Sequence, residues 1–140
     1  MAGVRRFEDL ECHKLAVQVR REVLRLTRRS NVRNDRKFCD QIRDSARSAP
    51  RNIAEGFARF NPKEIERFVS YAKGSLAETK NHVADGVDDG YFTIDEAEHV
   101  CGLIARTIGA LVRWMRYLES KAARDFYERH KNRRAGTLEP

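Results

Sequence analysis

One run near the C-terminus constrains the fold more than any other. Thr93-Ile94-Asp95-Glu96 opens it as a capping box: the threonine hydroxyl accepts from the Glu96 amide, and the glutamate reaches back to the Thr93 amide. Apolar or small residues then fall at Ile94, Ala97, Cys101, Ile104, Ile108, Leu111, Met115 and Leu118. Steps alternating between 3 and 4 mark a long helix packed at a shallow angle, so the spacing predicts a helix over 94–119. At ~1.5 Å per residue such a rod is roughly 39 Å long and needs partners of similar length.

The chain supplies three. Asn61-Pro62-Lys63-Glu64 starts a helix over 62–88, with Ile65, Phe68, Ala72, Leu76, Val83 and Val87 on one stripe and Asp88-Asp89-Gly90 as its stop. Another runs over 9–27 from Asp9 as cap, with Cys12, Ala16, Val19, Val23 and Leu26 inward. A third spans 37–57, where Phe38, Ile42, Ala46, Ala49, Ile53 and Phe57 keep their period through Pro50. The proline removes an amide and should kink that helix. Only 8 glycines and 3 prolines in 140 residues leave little room for the turns of an all-β fold. The expected fold is all-α: an antiparallel up-down-up-down four-helix bundle over 1–120, kinked at Pro50. A basic tail over 121–140 is expected to prolong the last helix, fraying into disorder at Gly136.

The last helix has more apolar surface than one seam needs. Beside the first stripe lies a second, Val100, Leu103, Thr107, Ala110, Trp114 and Tyr117. Leu103, Thr107, Ala110, Trp114 and Tyr117 are therefore expected to form the interface of a homo-oligomer. The second helix carries a strip of small polar residues, Gln41, Ser45, Ser48, Asn52 and Glu55, and the third a matching one that includes Ser75 and Glu78. Two such strips are expected to face each other and satisfy one another, with Gly74 permitting close helix contact.

Charge points to partners. Lys and Arg number 28 against 21 Asp and Glu, a net +7. Arg28, Arg29, Arg33, Arg36 and Lys37 cluster after the first helix, and Arg124, Arg129, Lys131, Arg133 and Arg134 in the tail. Arginine's planar fork suits phosphate, so both clusters are candidate nucleic-acid contacts, reading backbone and shape rather than sequence. The acidic residues Asp85, Asp88, Asp89, Asp95, Glu96 and Glu98 should lie at the same end as the first cluster, where the two can pair within a subunit or across a ring interface.

Catalytic and metal chemistry find little footing. Asp85, Asp89, Gly90 and Glu96 fall at calcium-loop spacing, but Val87 occupies a ligand position and Glu96 is wanted by the Thr93 cap. Glu96 and His99 imitate one arm of a di-iron site, with no second arm. No phosphate-cradling glycine loop or nucleophile elbow occurs, so neither cofactor, metal nor enzymatic activity is expected. Cys12, Cys39 and Cys101 are an odd set without C-x-x-C. No stretch approaches the ~18 apolar residues of a membrane span, and no signal-peptide core opens the sequence, so a cytoplasmic protein is expected.

Four segments together resemble one family: Phe7-Glu8-Asp9-Leu10, Asp40-Gln41-Ile42-Arg43, Ser48-Ala49-Pro50-Arg51-Asn52-Ile53-Ala54-Glu55-Gly56-Phe57, and Gly74-Ser75-Leu76-Ala77-Glu78. The chain is similar over about Phe7 to Leu118 to the bacterial four-helix bundle proteins of 23S rRNA intervening sequences. The related accessory variability proteins of diversity-generating retroelements use a similar basic bundle. The resemblance implies a ring-forming homo-oligomer, typically a pentamer, without enzymatic activity, and with RNA or a protein as further partner. His13 stands where such sequences usually have an aromatic residue, and the tail is longer.

Overall fold

The computed structural model describes residues 4–135, which form five α-helices and one short 3₁₀ turn. The helices are α1 (Glu11–Thr27), α2 (Arg36–Phe57), α3 (Pro62–Asp88), α4 (Ile94–Glu119) and α5 (Lys121–Ala135). No strand occurs among the described residues. The first boundary departs from expectation: Asp9 belongs to the 3₁₀ turn Phe7–Asp9, and Leu10 is the N-cap of α1.

The other ends form as their side chains dictate. Asp35 caps α2 by accepting from the Phe38 amide, and Asn61 caps α3 by accepting from Lys63 with Pro62 next to it. Both arms of the Thr93–Glu96 box are present at α4. At the end of α3, Gly90 takes φ of +77°, a left-handed conformation that glycine adopts without a Cβ penalty. The Tyr91 amide then donates to the Gly86 carbonyl at 2.8 Å and the Gly90 amide to Val87 at 3.0 Å. These two bonds are a Schellman motif, so the stretch with calcium-loop spacing is a helix stop.

α1 packs on α2 and α4, and α3 packs on the same two helices. Contacts between α1 and α4 come in reversed order: Glu11 meets Arg113, and Arg29, just past α1, meets Glu96. Between them lies one core, with Ile42, Ile53, Ile65, Leu76, Ile104 and Leu111 fully buried. α2 passes through Pro50 as a single helix, and the proline itself is buried.

Both seams of α4 contribute to the core. Leu103, Thr107, Ala110 and Trp114 are 7%, 0%, 0% and 2% exposed within the single chain, and Tyr117 is half-buried. Leu103, Thr107, Ala110 and Trp114 are core and so cannot present an oligomer interface, while Tyr117 packs against that core and keeps part of its surface. α4 contacts both α1 and α3 and needs a broader arc than a surface helix resting on one neighbour. Trp114 also reaches α2, where its ring lies 3.8 Å from the place a Cβ on Gly56 would occupy. Part of the first stripe faces outward instead: Ile94 is 67% exposed, and Cys101, Ile108 and Met115 are half-buried.

The tail does not prolong α4. Ser120 adopts an extended conformation (φ −69°, ψ 151°), and its hydroxyl oxygen accepts from the Ala123 amide, opening a separate helix. The region beyond Gly136 lies outside the described residues.

Candidate nucleic-acid interface

The basic and acidic stretches meet at one corner. The Arg29 guanidinium forks onto the Glu96 carboxylate, with Nη2 to Oε1 at 3.1 Å, and Nη2 also donates to the Tyr91 carbonyl at 2.8 Å. The Asn31 amide donates to that same carbonyl at 3.1 Å, and the Tyr91 hydroxyl donates to Asp35 at 2.6 Å. The Tyr91 hydroxyl and then the Phe38 amide hold the Asp35 carboxyl below the usual range, while the hydrogen bond to Asp35 pushes Tyr91 up to about 12. Burial pushes Glu96 upward, but the Thr93 amide and Arg29 outweigh it and its carboxyl sits low.

This pairing occurs within one chain and removes Arg29 from the candidate phosphate contacts, because its fork is already filled by a carboxylate. Arg28, Arg33, Arg36 and Lys37 are exposed. Among the described residues, Arg28, Arg33 and Arg36 have no ion-pair partner, while Lys37 helps to lower Asp35. No three His, Cys, Asp or Glu among the described residues are placed to hold a metal.

Three further arginines gather where the sequence reading placed no site. A groove of about 440 Å³ between α1 and α2 is lined by Arg20 and His13 of α1 and by Arg47 and Arg51 of α2, over Leu24 and Pro50. Arg47 and Arg51 are one turn apart on α2, a spacing visible in the sequence. That Arg20 faces them is a product of helix pairing, which no local pattern announces. Burial, and then the opposing influences of Glu8 and Arg20, leave His13 with a lowered pKa.

The polar strip is smaller than expected and differently populated. The Ser48 and Ser75 hydroxyls share a hydrogen bond at 2.8 Å, and the Asn52 amide donates to Ser48 Oγ at 3.0 Å. One turn away the Thr79 hydroxyl bonds Ser45 Oγ at 2.9 Å. Thr79 is fully buried and was missed because threonine suits either face of a helix by composition alone. Gln41, Glu55 and Glu78 are exposed and lie outside the ladder. Glu55 is 3.5 Å from Arg59 and Glu78 is 3.5 Å from His82. Gly74 makes no close approach: no atom lies within 4 Å of where its Cβ would stand. The ladder joins α2 to α3 and offers nothing to a ligand.

In the tail, Arg124 is exposed and borders a recess of about 370 Å³ with Phe60, Pro62, Tyr127 and Glu128. Arg129 is exposed, and its Nε donates to the Asp125 carbonyl at 3.1 Å. The side chains of Lys131, Arg133 and Arg134 lie outside the described residues. The cysteines are free, two of them buried, and burial pushes the Cys12 thiol up to about 12, so it is inert as a nucleophile.

No curated protein matches this chain. A family model does, over residues 8–113, a span that takes in the corner, the groove and all but the last turns of α4. On that match, the chain belongs to the 23S rRNA-intervening sequence protein family.

Proposed function

We propose that this is a non-enzymatic, self-associating cytoplasmic protein that binds RNA through its basic surface. Its scaffold is an antiparallel up-down-up-down bundle of α1–α4, with α2 bent at Pro50. The uncompensated charge at the α1–α2 corner carries the reading: Arg28, Arg33 and Arg36 are exposed and without an ion pair among the described residues, beside an Arg29 that Glu96 has neutralised. A net charge of +7 draws polyanions to any such surface. Family membership ties the chain to 23S rRNA intervening sequences by description. The reversed order of the α1–α4 contacts, and the pairing of Ser45 with Thr79 and Ser48 with Ser75, support the bundle topology.

Self-association is supported by the outer side of α4. Ile94 there is 67% exposed, Gly102 and Ala105 are open, and Cys101, Ile108 and Val112 are half-buried. Five copies in a ring is what the family resemblance implies, and light scattering reads it directly; a strictly monomeric mass at micromolar concentration refutes it. RNA binding is tested by fluorescence anisotropy of a short labelled RNA across a salt series. Affinity should fall steeply with salt, and joint Arg28→Gln, Arg33→Gln and Arg36→Gln replacement should weaken it without regard to sequence. Binding that is indifferent to salt refutes the reading. Exposed Tyr71 and Phe126, at 51% and 45%, favour a second reading as a protein-interaction scaffold with RNA incidental. A stable protein partner on nucleic-acid-free material decides for it.

A further inference from the structure

The groove between α1 and α2 gathers three guanidinium groups with no carboxylate among its lining residues. Arg20, Arg47 and Arg51 take part in no ion pair or side-chain hydrogen bond among the described residues, although carboxylates elsewhere on the chain engage Arg25, Arg29, Arg59 and Arg113. Arg47 and Arg51 stand about 6 Å apart along the axis of α2, a like-charge spacing that disfavours the helix. Arg20 faces them from α1 and adds to the repulsion. An anion seated between the helices adds an attraction to each guanidinium that offsets this repulsion. Leu24 and Pro50 beneath them make an apolar floor, suited to the sugar or base beside a phosphate.

We infer that this groove seats the phosphates of an RNA strand, with Arg20, Arg47 and Arg51 as its donors. The inference deepens the RNA reading above and rests on it. Arg20 lies two turns of α1 from Arg28, and Arg47 three turns of α2 from Arg36. Groove and corner thus lie on the same helix pair within roughly 20 Å of each other, with the exposed carboxylates Asp40 and Asp44 of α2 between them.

The experiment compares wild type, an Arg20→Gln/Arg47→Gln/Arg51→Gln triple variant and the Arg28→Gln/Arg33→Gln/Arg36→Gln variant, binding labelled single-stranded RNA over a salt series. Circular dichroism melts confirm that each is folded. If the groove holds the strand, its variant loses affinity and the slope of log affinity against log salt becomes shallower by about 2, at ~0.7 per lost phosphate contact. Arg→Lys replacements at the same positions should restore the slope but not the full affinity, because lysine keeps the charge and lacks the fork. A groove variant that binds like wild type while the corner variant fails overturns this inference and leaves the RNA reading standing. Wild type without RNA affinity even at low salt overturns both. Polyglutamate or inorganic tripolyphosphate binding as tightly as RNA overturns the assignment to a nucleic-acid strand.

Discussion

Glu96 closes the capping box on the Thr93 amide at 3.0 Å and receives the fork of Arg29, so one substitution removes one arm of the box and the tie between corner and α4. In Glu96→Ala the lost hydrogen bond to the Thr93 amide accounts for ~1 kcal/mol and the negative charge at a helix N-terminus for ~0.3–1 kcal/mol. The ion pair, with side chains 34% and 19% exposed, is screened by water and adds below ~1 kcal/mol. The loss is then roughly 2 kcal/mol. At ~2.1 cal/mol/K per residue, a chain of this length should melt about 7 °C lower. Glu96→Gln keeps an oxygen for the Thr93 amide but no charge, and should lose about half as much. The Glu96 carboxyl is lowered from its ordinary 4.5, so its stabilisation is present in full above that pH and disappears as pH falls through the lowered value. Melts of wild type and Glu96→Gln, followed by circular dichroism, should therefore differ near neutral pH and converge in acid, below the lowered value. A difference undiminished in acid refutes the assignment of that stability to the charged carboxylate. Glu96→Gln also releases Arg29 and should strengthen RNA binding at low salt.

Gly86→Ala should destabilise by about 1–3 kcal/mol in urea unfolding, since the new methyl would stand 2.4 Å from the Phe92 ring. An unchanged midpoint contradicts that packing. Trp114→Ala should cost ~3–5 kcal/mol. Because its own chain buries Trp114, wild-type tryptophan emission should stay blue-shifted on dilution, and a red shift would mean that a second copy covers the ring. Ser45→Ala and Thr79→Val, combined in a double-mutant cycle, should show coupling of about 0.5–1.5 kcal/mol; zero coupling removes the ladder as a tie between α2 and α3.

Helix existence and extent are local matters. Asn61-Pro62, the Thr93–Glu96 box and the 3-and-4 periodicity place α2, α3 and α4 to within a residue of where they lie, because caps and amphipathic stripes act over one or two turns. Short connections also bring the basic and acidic stretches to one end, but that Arg29 takes Glu96 within one chain was decided by the tertiary structure. How much of each of the two adjacent stripes on α4 is core depends on its neighbours. Periodicity reports that both are apolar but carries no reference direction, and only contact with α1, α3 and Gly56 turned Trp114 inward. The polar strips show the same division: serine spacing was legible, yet the contribution of Thr79 and the exclusion of Gln41, Glu55 and Glu78 follow from the rotation of α2 against α3. The arginine groove needed the structure most, since a concave site between two helices is a property of their packing. Electrostatic convergence of Arg20 with Arg47 and Arg51 arises between segments nearly thirty residues apart, where no local rule reaches.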